Sequence, residues 1–360
     1  MTASIALLLT QDGLTNGLLY ALIALSILLV FLVTRVLWLP AGELVAWGAL
    51  TMGVLNTGKV PGTVWLLPCA GVLALLSWVW SVRQPARAGQ RKRGWAGQLI
   101  CCVLVPVLIS GLVWYASAAA LPPWGRSLLT LLLVAPLGPL LYMAVFRPIL
   151  HLSILTKLVV AVALHTVMVG AGLFFFGAEG MRAAPLIAGR IDLGVMGMTV
   201  RLSWQLVLVA GVCVGLMTAL WLFFERTLWG KALRATAMNR LGARLVAVRT
   251  QTAGLIAFGM AGVLGALAGV LIAPIATVYY DSGFLLSLKG FIGVVCAGLA
   301  SFPLAVLGAL GVGVLDAFAS FYASHLRDVI VFAALVPILL WRSLRASGDM
   351  QGGFHAEDAQ

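Results

Sequence analysis

Residues 224–272 read FERTLWGKALRATAMNRLGARLVAVRTQTAGLIAFGMAGVLGALAGVLI, from Phe224 to Ile272. The first half is polar and basic. The second is an apolar run studded with Gly and Ala. In the first half Leu233, Ala237, Leu241, Leu245 and Val248 recur at helical spacing, and Lys231, Arg240 and Arg244 form a band beside that stripe. This pattern predicts a short amphipathic helix at a water-exposed face between two membrane spans. Three surroundings suit it: a solvated basic loop obeying the positive-inside rule, lipid headgroups, or a soluble partner. In the second half, Ala257, Ala261, Gly265 and Gly269 recur every four residues, which lets another helix approach closely.

The rest of the chain has the composition that such a pair of spans demands. Of 360 residues, 62% are hydrophobic and 9% charged, with a mean hydropathy of +1.09. A soluble domain could not hide that much apolar surface, so lipid is the expected solvent. Backbone groups in lipid must be satisfied internally, which leaves helices or a closed barrel. Long unbroken Leu/Val/Ala runs select helices over the alternation of a barrel. The expected fold is all-α: a polytopic transmembrane helical bundle of about 9–11 membrane segments, some broken or re-entrant.

The net charge of +12 raises the question of nucleic acid. The basic residues sit in short gaps between spans, as topology requires, and no basic surface interleaved with aromatics is visible, so nucleic acid is not an expected partner. Cys69, Cys101, Cys102, Cys213 and Cys296 all lie in apolar runs without metal-ligand spacing and read as packing residues; no metal is expected. The N-terminus lacks a positive n-region and a cleavage site, so the first span is expected to serve as its own insertion signal. Residues 53–60, GVLNTGKV, nearly spell a phosphate-binding loop. Val60 offers no hydroxyl to magnesium, Pro61 follows, and no strand precedes, so this is an exposed turn.

Spans are expected over about 14–34, 63–81, 98–120, 127–146, 157–177, 203–223 and 252–272. The run from Val36 to Asn56 contains Trp38-Leu-Pro-Ala-Gly-Glu43, where Pro40 and Gly42 break or unwind a helix. Glu43 is therefore either a functional ionisable group beside that break or an interfacial carboxylate paired with Arg35. His165 lies alone in the sixth span, as an internally hydrogen-bonded side chain or part of a pathway. Residues 178–202 read as a Gly-rich polar loop. Residues 283–318 accommodate a short or re-entrant helix plus a full span, hinged near Ala300-Ser-Phe-Pro303. A last span runs from Asp328 to about Arg342 and a polar tail follows from 346 to 360. Arg83, Arg87, Arg91, Lys92 and Arg93 mark 83–93 as inside. Counting spans from there returns the chain to the inside at Arg226, with the N-terminus and 178–202 outside.

The order of several motifs resembles a known family. Gly230, Arg234-Ala235, Ala237, Ala243 and Val248, followed by Leu267-Ala-Gly-Val-Leu271, are similar to the cytoplasmic coupling segment of LivH-type permeases of branched-chain amino acid ABC transporters. Asn239 stands where that family usually has an acidic residue, and Ala247 where it has Gly. Gly42 and Glu43 match the family's Asn-Phe-Ala-His-Gly-Glu stretch, with Trp38 and Ala41 replacing its Asn and His. Phe146-Arg147-Pro148 is similar to its Tyr-Arg-Pro. Lys289, Phe291, Gly298, Ser301, Pro303 and Gly313 match its later Gly-rich break, and Asp316 replaces a Glu. The resemblance covers about 14–56 and 142–342 and is weak over 62–125, which looks expanded.

The resemblance implies a permease domain over 1–345, with a coupling segment at 226–250 carrying Gly230, Lys231, Arg234, Ala235, Ala237, Asn239, Leu241, Ala243, Arg244 and Val248 toward an ATPase. It implies a translocation path through Gly42, Glu43, His165, Lys289, Ser301 and Asp316. It further implies a bacterial plasma-membrane importer with ABC ATPase subunits, a second homologous permease, an extracellular or periplasmic solute-binding protein and membrane lipid as partners. No cofactor is expected on this chain, ATP being used by a partner subunit. The implied cargo is a branched-chain or other small amino acid; urea, amides and sugars are carried by related permeases. Two other classes stay open. A stand-alone secondary transporter would use Glu43, His165 or Asp316 as ion sites. A membrane enzyme would need a motif such as HExxH or GxSxG, and neither is present, so no catalytic residue is expected.

Overall fold

The computed structural model describes residues 3–83, 95–117, 119, 121–195, 198–238, 240–245, 248–299 and 301–340. Its helices are α1 (Ala3–Thr34), α2 (Ala41–Asn56), α3 (Thr63–Arg83), α4 (Trp95–Leu99), α5 (Val105–Ser117), α6 (Pro123–Val134), α7 (Leu137–Leu141), α8 (Arg147–Ile149) and α9 (Ile154–Phe176). After a hairpin of β1 (Arg190–Val195) and β2 (Met198–Ser203) come α10 (Trp204–Arg226), α11 (Leu228–Met238), α12 (Arg240–Leu245), α13 (Thr250–Ile272), α14 (Ser282–Cys296), α15 (Phe302–Tyr322) and α16 (Arg327–Ala333). Single π-turns at 100–104 and 142–146 join α4 to α5 and α7 to α8 into longer rods. Eight helical rods among the described residues are long and apolar enough to cross a membrane, and α14 is a shorter apolar helix. The chain is a polytopic helical membrane protein. The expected tail from 346 lies outside the described residues, as do most of 83–93.

Helix α1 is the axis. Its side chains from Leu19 to Val30 are almost wholly buried. It meets α15 backbone to backbone: a methyl group on Gly17 would lie 2.8 Å from the Leu310 Cα. Helices in lipid lack a hydrophobic drive toward one another, so such close approach of small residues supplies the van der Waals contact that holds them. Helix α13 uses the same device on α2, where a methyl on Gly269 would lie 2.5 Å from the Val45 carbonyl oxygen.

The chain breaks where proline and glycine predicted. Beyond Arg35, residues 35–38 have no regular structure, and α2 starts only at Ala41, just past Pro40. Trp38 anchors this extended piece. Its ring is buried edge-on against Phe258 (4.8 Å between centroids) and Phe146 (5.6 Å). Between Cys296 and Phe302 a second break separates α14 from α15, and Leu299 adopts φ 56°.

One expectation is corrected here. The 178–202 stretch is not all loop. Arg190–Val195 and Met198–Ser203 pair antiparallel, with Asp192 opposite Arg201 in the register. Alternating Ile191, Leu193 and Val195 against Val200 and Leu202 give that segment the period of a strand. Helical structure is present on both sides of Asn239 in the expected 233–248 stretch, as α11 and α12, and Asn239 itself lies outside the described residues.

The ends of the rods sort the polar loops. Arg35 reaches the Ala237 carbonyl (3.2 Å), and Arg147 reaches Gln251 (3.2 Å), so both lie at the end that carries α11 and α12. At the opposite end Arg126 bonds Asn56 (2.7 Å), and Met181 pairs with Val278.

Candidate functional site

The two broken elements meet. The start of α2 lies on the start of α14. The Gly42 amide donates to Ser287 Oγ (2.6 Å), and that hydroxyl donates to the Leu39 carbonyl (2.5 Å). Ser287 thus satisfies an amide and a carbonyl that the break frees, as irregular backbone inside a membrane protein requires. Only glycine suits position 42, because a side chain there would overlap the Gly283 carbonyl. Next in sequence, Glu43 is fully buried, and its carboxylate rests on Gly283, whose missing Cβ would come within 2.6 Å of it.

The partner of Glu43 comes from α9. His165 Nδ1 lies 3.0 Å from Glu43 Oε1. The approach is ion-pair close without the angles of a hydrogen bond, and both carboxylate oxygens remain without a hydrogen-bond donor. The imidazole stacks on Phe284, with 4.7 Å between centroids. One turn further along α2, the Trp47 indole N–H is also buried without an acceptor. Glu43 therefore does not pair with Arg35, and His165 is not a lone histidine. A buried carboxylate and a partly buried imidazole at this distance can share a proton or grip a cationic group, and their positions within apolar helices make them expensive unless used.

Lys289 and Asp316, placed on the same path by resemblance, form a separate centre. Asp316 is fully buried and accepts from Tyr20 (2.8 Å), Lys289 (3.0 Å) and Arg327 Nε (2.8 Å), with Arg327 Nη2 on its second oxygen. Lys289 also pairs with the half-exposed Asp328 (3.0 Å). Two cations thus face two anions, and the centre ties α1, α14, α15 and the start of α16 together. Its coordination is internally complete, which suits a structural tie. Tyr20, Arg327, Asp328, Gly283 and Ser287 were missed in the sequence. The only available signal was that Tyr20, Ser287 and Lys289 interrupt apolar runs.

Ser301 lies elsewhere again, at the hinge before α15. It borders a cavity of about 560 Å³ between α1, α10, α11 and that hinge. The coupling segment forms one wall. Gly230 is buried against the Phe223–Phe224 backbone, and its amide donates to Thr227 (3.0 Å). Lys231 is exposed, while Arg234 pairs with Glu225 (2.8 Å). Ala235, Ala237 and Val248 are half-buried, and Ala243 is buried, its carbonyl accepting from the Val248 amide (2.9 Å). Asn239 and Ala247 lie outside the described residues, as do the side chains of Arg240, Leu241 and Arg244.

The apolar stripe read from 233 to 248 does not face one way. Leu233 is 1% exposed and packs inward, whereas Leu245 is 83% exposed. Twelve residues at about 100° each carry Leu245 roughly 120° around a helix from Leu233, so a four-residue spacing drifts off one face. The apolar side chains that do face outward here are Leu228, Trp229, Met238 and Leu245. Among the described residues no three His, Cys, Asp or Glu side chains gather as metal ligands would.

Comparison with known proteins supplies the family. A family model described as "Branched-chain amino acid transport system / permease component" matches residues 98–339, two thirds of the chain. The permease protein BraD of the high-affinity branched-chain amino acid transport system of Pseudomonas aeruginosa is 28% identical over 200 residues, 55% of this chain and 65% of that one. The LivH permease proteins of Salmonella typhimurium and Escherichia coli K12 are 34% and 33% identical over 126 residues, 34% of this chain and 41% of each of theirs. The match therefore spans less than two thirds of the length of these relatives. No solved structure matches the chain. The matched family is one of transport components and not of enzymes. With a match across two thirds of its length and a fold of broken, apolar, membrane-length helices, the chain belongs to the family of branched-chain amino acid transport permease components.

Proposed function

We propose that this chain is the permease subunit of an ATP-driven importer in a bacterial plasma membrane, carrying branched-chain or other small amino acids. A separate subunit hydrolyses the ATP. A second homologous permease and a solute-binding protein complete the assembly. The observation that carries this reading is the meeting of two interrupted helices, α2 and α14, at the Glu43–His165 pair, near the middle of α9. Membrane transporters build substrate sites from such discontinuous helices. A carboxylate with unfilled lone pairs suits the ammonium group of an amino acid, and the flanking Phe284 and Trp47 suit an apolar side chain.

The end bearing Arg35, Arg147 and the basic 226–250 segment is the cytoplasmic one under the positive-inside rule. There Leu228, Trp229, Met238 and Leu245 present outward apolar side chains with basic neighbours, the make-up of an interface core with a charged rim for the ATPase.

The test is reconstitution of the chain with its ATPase subunits and second permease in liposomes, with binding protein outside and ATP inside. ATP-dependent uptake of labelled leucine is expected. Glu43→Gln should abolish uptake and leave the subunits assembled. Normal uptake by Glu43→Gln would remove the pair from the path. Uptake that follows a proton gradient in the absence of ATP would replace the importer with a secondary transporter.

A further inference from the structure

We propose that the cavity between α1, α10, α11 and the α14–α15 hinge is a binding site for an anionic phospholipid of the membrane, its headgroup held by Arg35 and its acyl chain by the apolar walls.

The cavity measures about 560 Å³, within the range of sites that enclose small ligands. Its walls are apolar along the length of the rods, with Leu32 from α1, Trp221 and Phe224 from α10, and Phe302 from the start of α15. Phe224 and Phe302, both in its lining, stack on each other (5.2 Å). Its polar groups lie at the end that carries α11, where Arg35 and Arg234 border it. The cavity therefore has the polarity of an amphiphile, charged at the level of the loops and greasy toward the membrane interior. Trp221 is 60% exposed on α10, a helix with few neighbours, so the cavity opens toward the side from which lipid would enter.

The charge has a sign. Arg234 shares its charge with Glu225, but among the described residues no carboxylate lies within ion-pair distance of Arg35. Its guanidinium is held by the Ala237 carbonyl (3.2 Å) and over the Phe31 ring (5.5 Å), which fixes its direction without neutralising it. The backbone makes the same point. Arg35 has φ 55°, in the left-handed region that a glycine would occupy without strain. An arginine stands there although the turn itself would favour glycine, which points to a use for the side chain. A fixed, unneutralised guanidinium over an apolar cleft suits the phosphate of a lipid headgroup, and basic pockets between membrane helices take such headgroups.

The site would matter because of what it joins. One wall is α11, in the segment proposed to meet the ATPase, and another is the hinge Ser301–Pro303. A lipid seated there bridges the two. The binding proposal itself does not depend on the transport reading, since its test measures lipid alone.

The test uses the full-length chain purified in detergent, exposed to an equimolar mixture of phosphatidylglycerol and phosphatidylcholine. Retained lipid is measured by mass spectrometry. A roughly five-fold excess of phosphatidylglycerol is expected, the ratio that one arginine at an anionic headgroup gives. Arg35→Gln should bring the ratio to about parity, while Arg226→Gln, at the same end but outside the cavity, should leave it unchanged. Met217→Trp fills the cavity from α10 with the charge intact, and should reduce retention of both lipids. Equal retention of the two lipids by the unmodified chain would overturn the proposal by showing no selectivity for charge, and an equal loss in Arg226→Gln would replace it with general surface attraction. Unchanged retention in Met217→Trp would overturn the cavity as the location. Displacement of the lipid by millimolar inorganic phosphate would make the site one for phosphate and not for lipid.

Discussion

Replacing Asp316 with Asn tests whether the charged centre is a structural tie or part of a path. The isosteric amide keeps the shape and removes the charge that Lys289, Arg327 and Tyr20 address. Removing one member of a buried ion pair costs about 3–5 kcal/mol, because the other member stays buried and unpaired. Here the lower end applies. Lys289 keeps Asp328 at 3.0 Å, and the Arg327 side chain, 36% exposed, can turn toward water. Asp328, 45% exposed, is the control; Lys289 keeps Asp316 when it is changed, so Asp328→Asn should cost clearly less than Asp316→Asn. A loss near 3 kcal/mol corresponds to a fall in Tm of roughly 6–12 °C by the scaling for medium-sized domains. Intrinsic tryptophan fluorescence of the detergent-purified chain reads it. The double variant Lys289→Met with Asp316→Leu removes the buried charges together and should recover much of the loss, since apolar replacement of a whole buried pair is often neutral. If Asp316→Asn melts with the unmodified chain, or if Asp328→Asn is equally damaging, the account of a buried tie is wrong.

Three further outcomes follow from the geometry. Gly269→Ala should lower Tm more than Gly265→Ala, because the added methyl would meet the Val45 carbonyl at 2.5 Å in the first case and the Leu44 Cβ at 3.0 Å in the second; equal melting would mean α2 and α13 can part without cost. Leu245→Asp, on an exposed side chain, should preserve Tm and weaken co-purification of the ATPase about ten-fold or more, as loss of an interface anchor does, whereas Leu233→Asp should cost stability before any partner is added; the reverse ranking would restore the single stripe. In a cysteine-free background, Lys59→Cys should react with an impermeant maleimide in intact cells and Lys231→Cys only after lysis, and labelling of Lys231→Cys in intact cells would invert the orientation.

What the sequence determined by itself was local. Apolar runs of membrane length placed the spans, because lipid tolerates little else over such a distance. Pro40 and the Ala300–Pro303 stretch marked both breaks, since a proline lacks the amide that a continuing helix needs, and α2 and α15 do start beside those prolines. The basic gaps near Arg35 and 226–250 were legible as one end of the bundle because Lys and Arg collect in the loops of one face. What only the tertiary structure decided was which distant groups meet. Glu43 pairs with His165 and not with Arg35, because α9 crosses α2 at that height while Arg35 is turned away toward Ala237. Lys289 and Asp316 leave the Glu43 neighbourhood because the α14–α15 turn folds them onto Tyr20 and Arg327. Leu233 turns inward and Leu245 outward because a four-residue spacing drifts by about 40° per step, roughly 120° over the twelve residues between them, and packing decides which part of that arc is covered. Periodicity and breakers are read along the chain, whereas a buried charge finds its partner across helices, and the packing of those helices decides which partner that is.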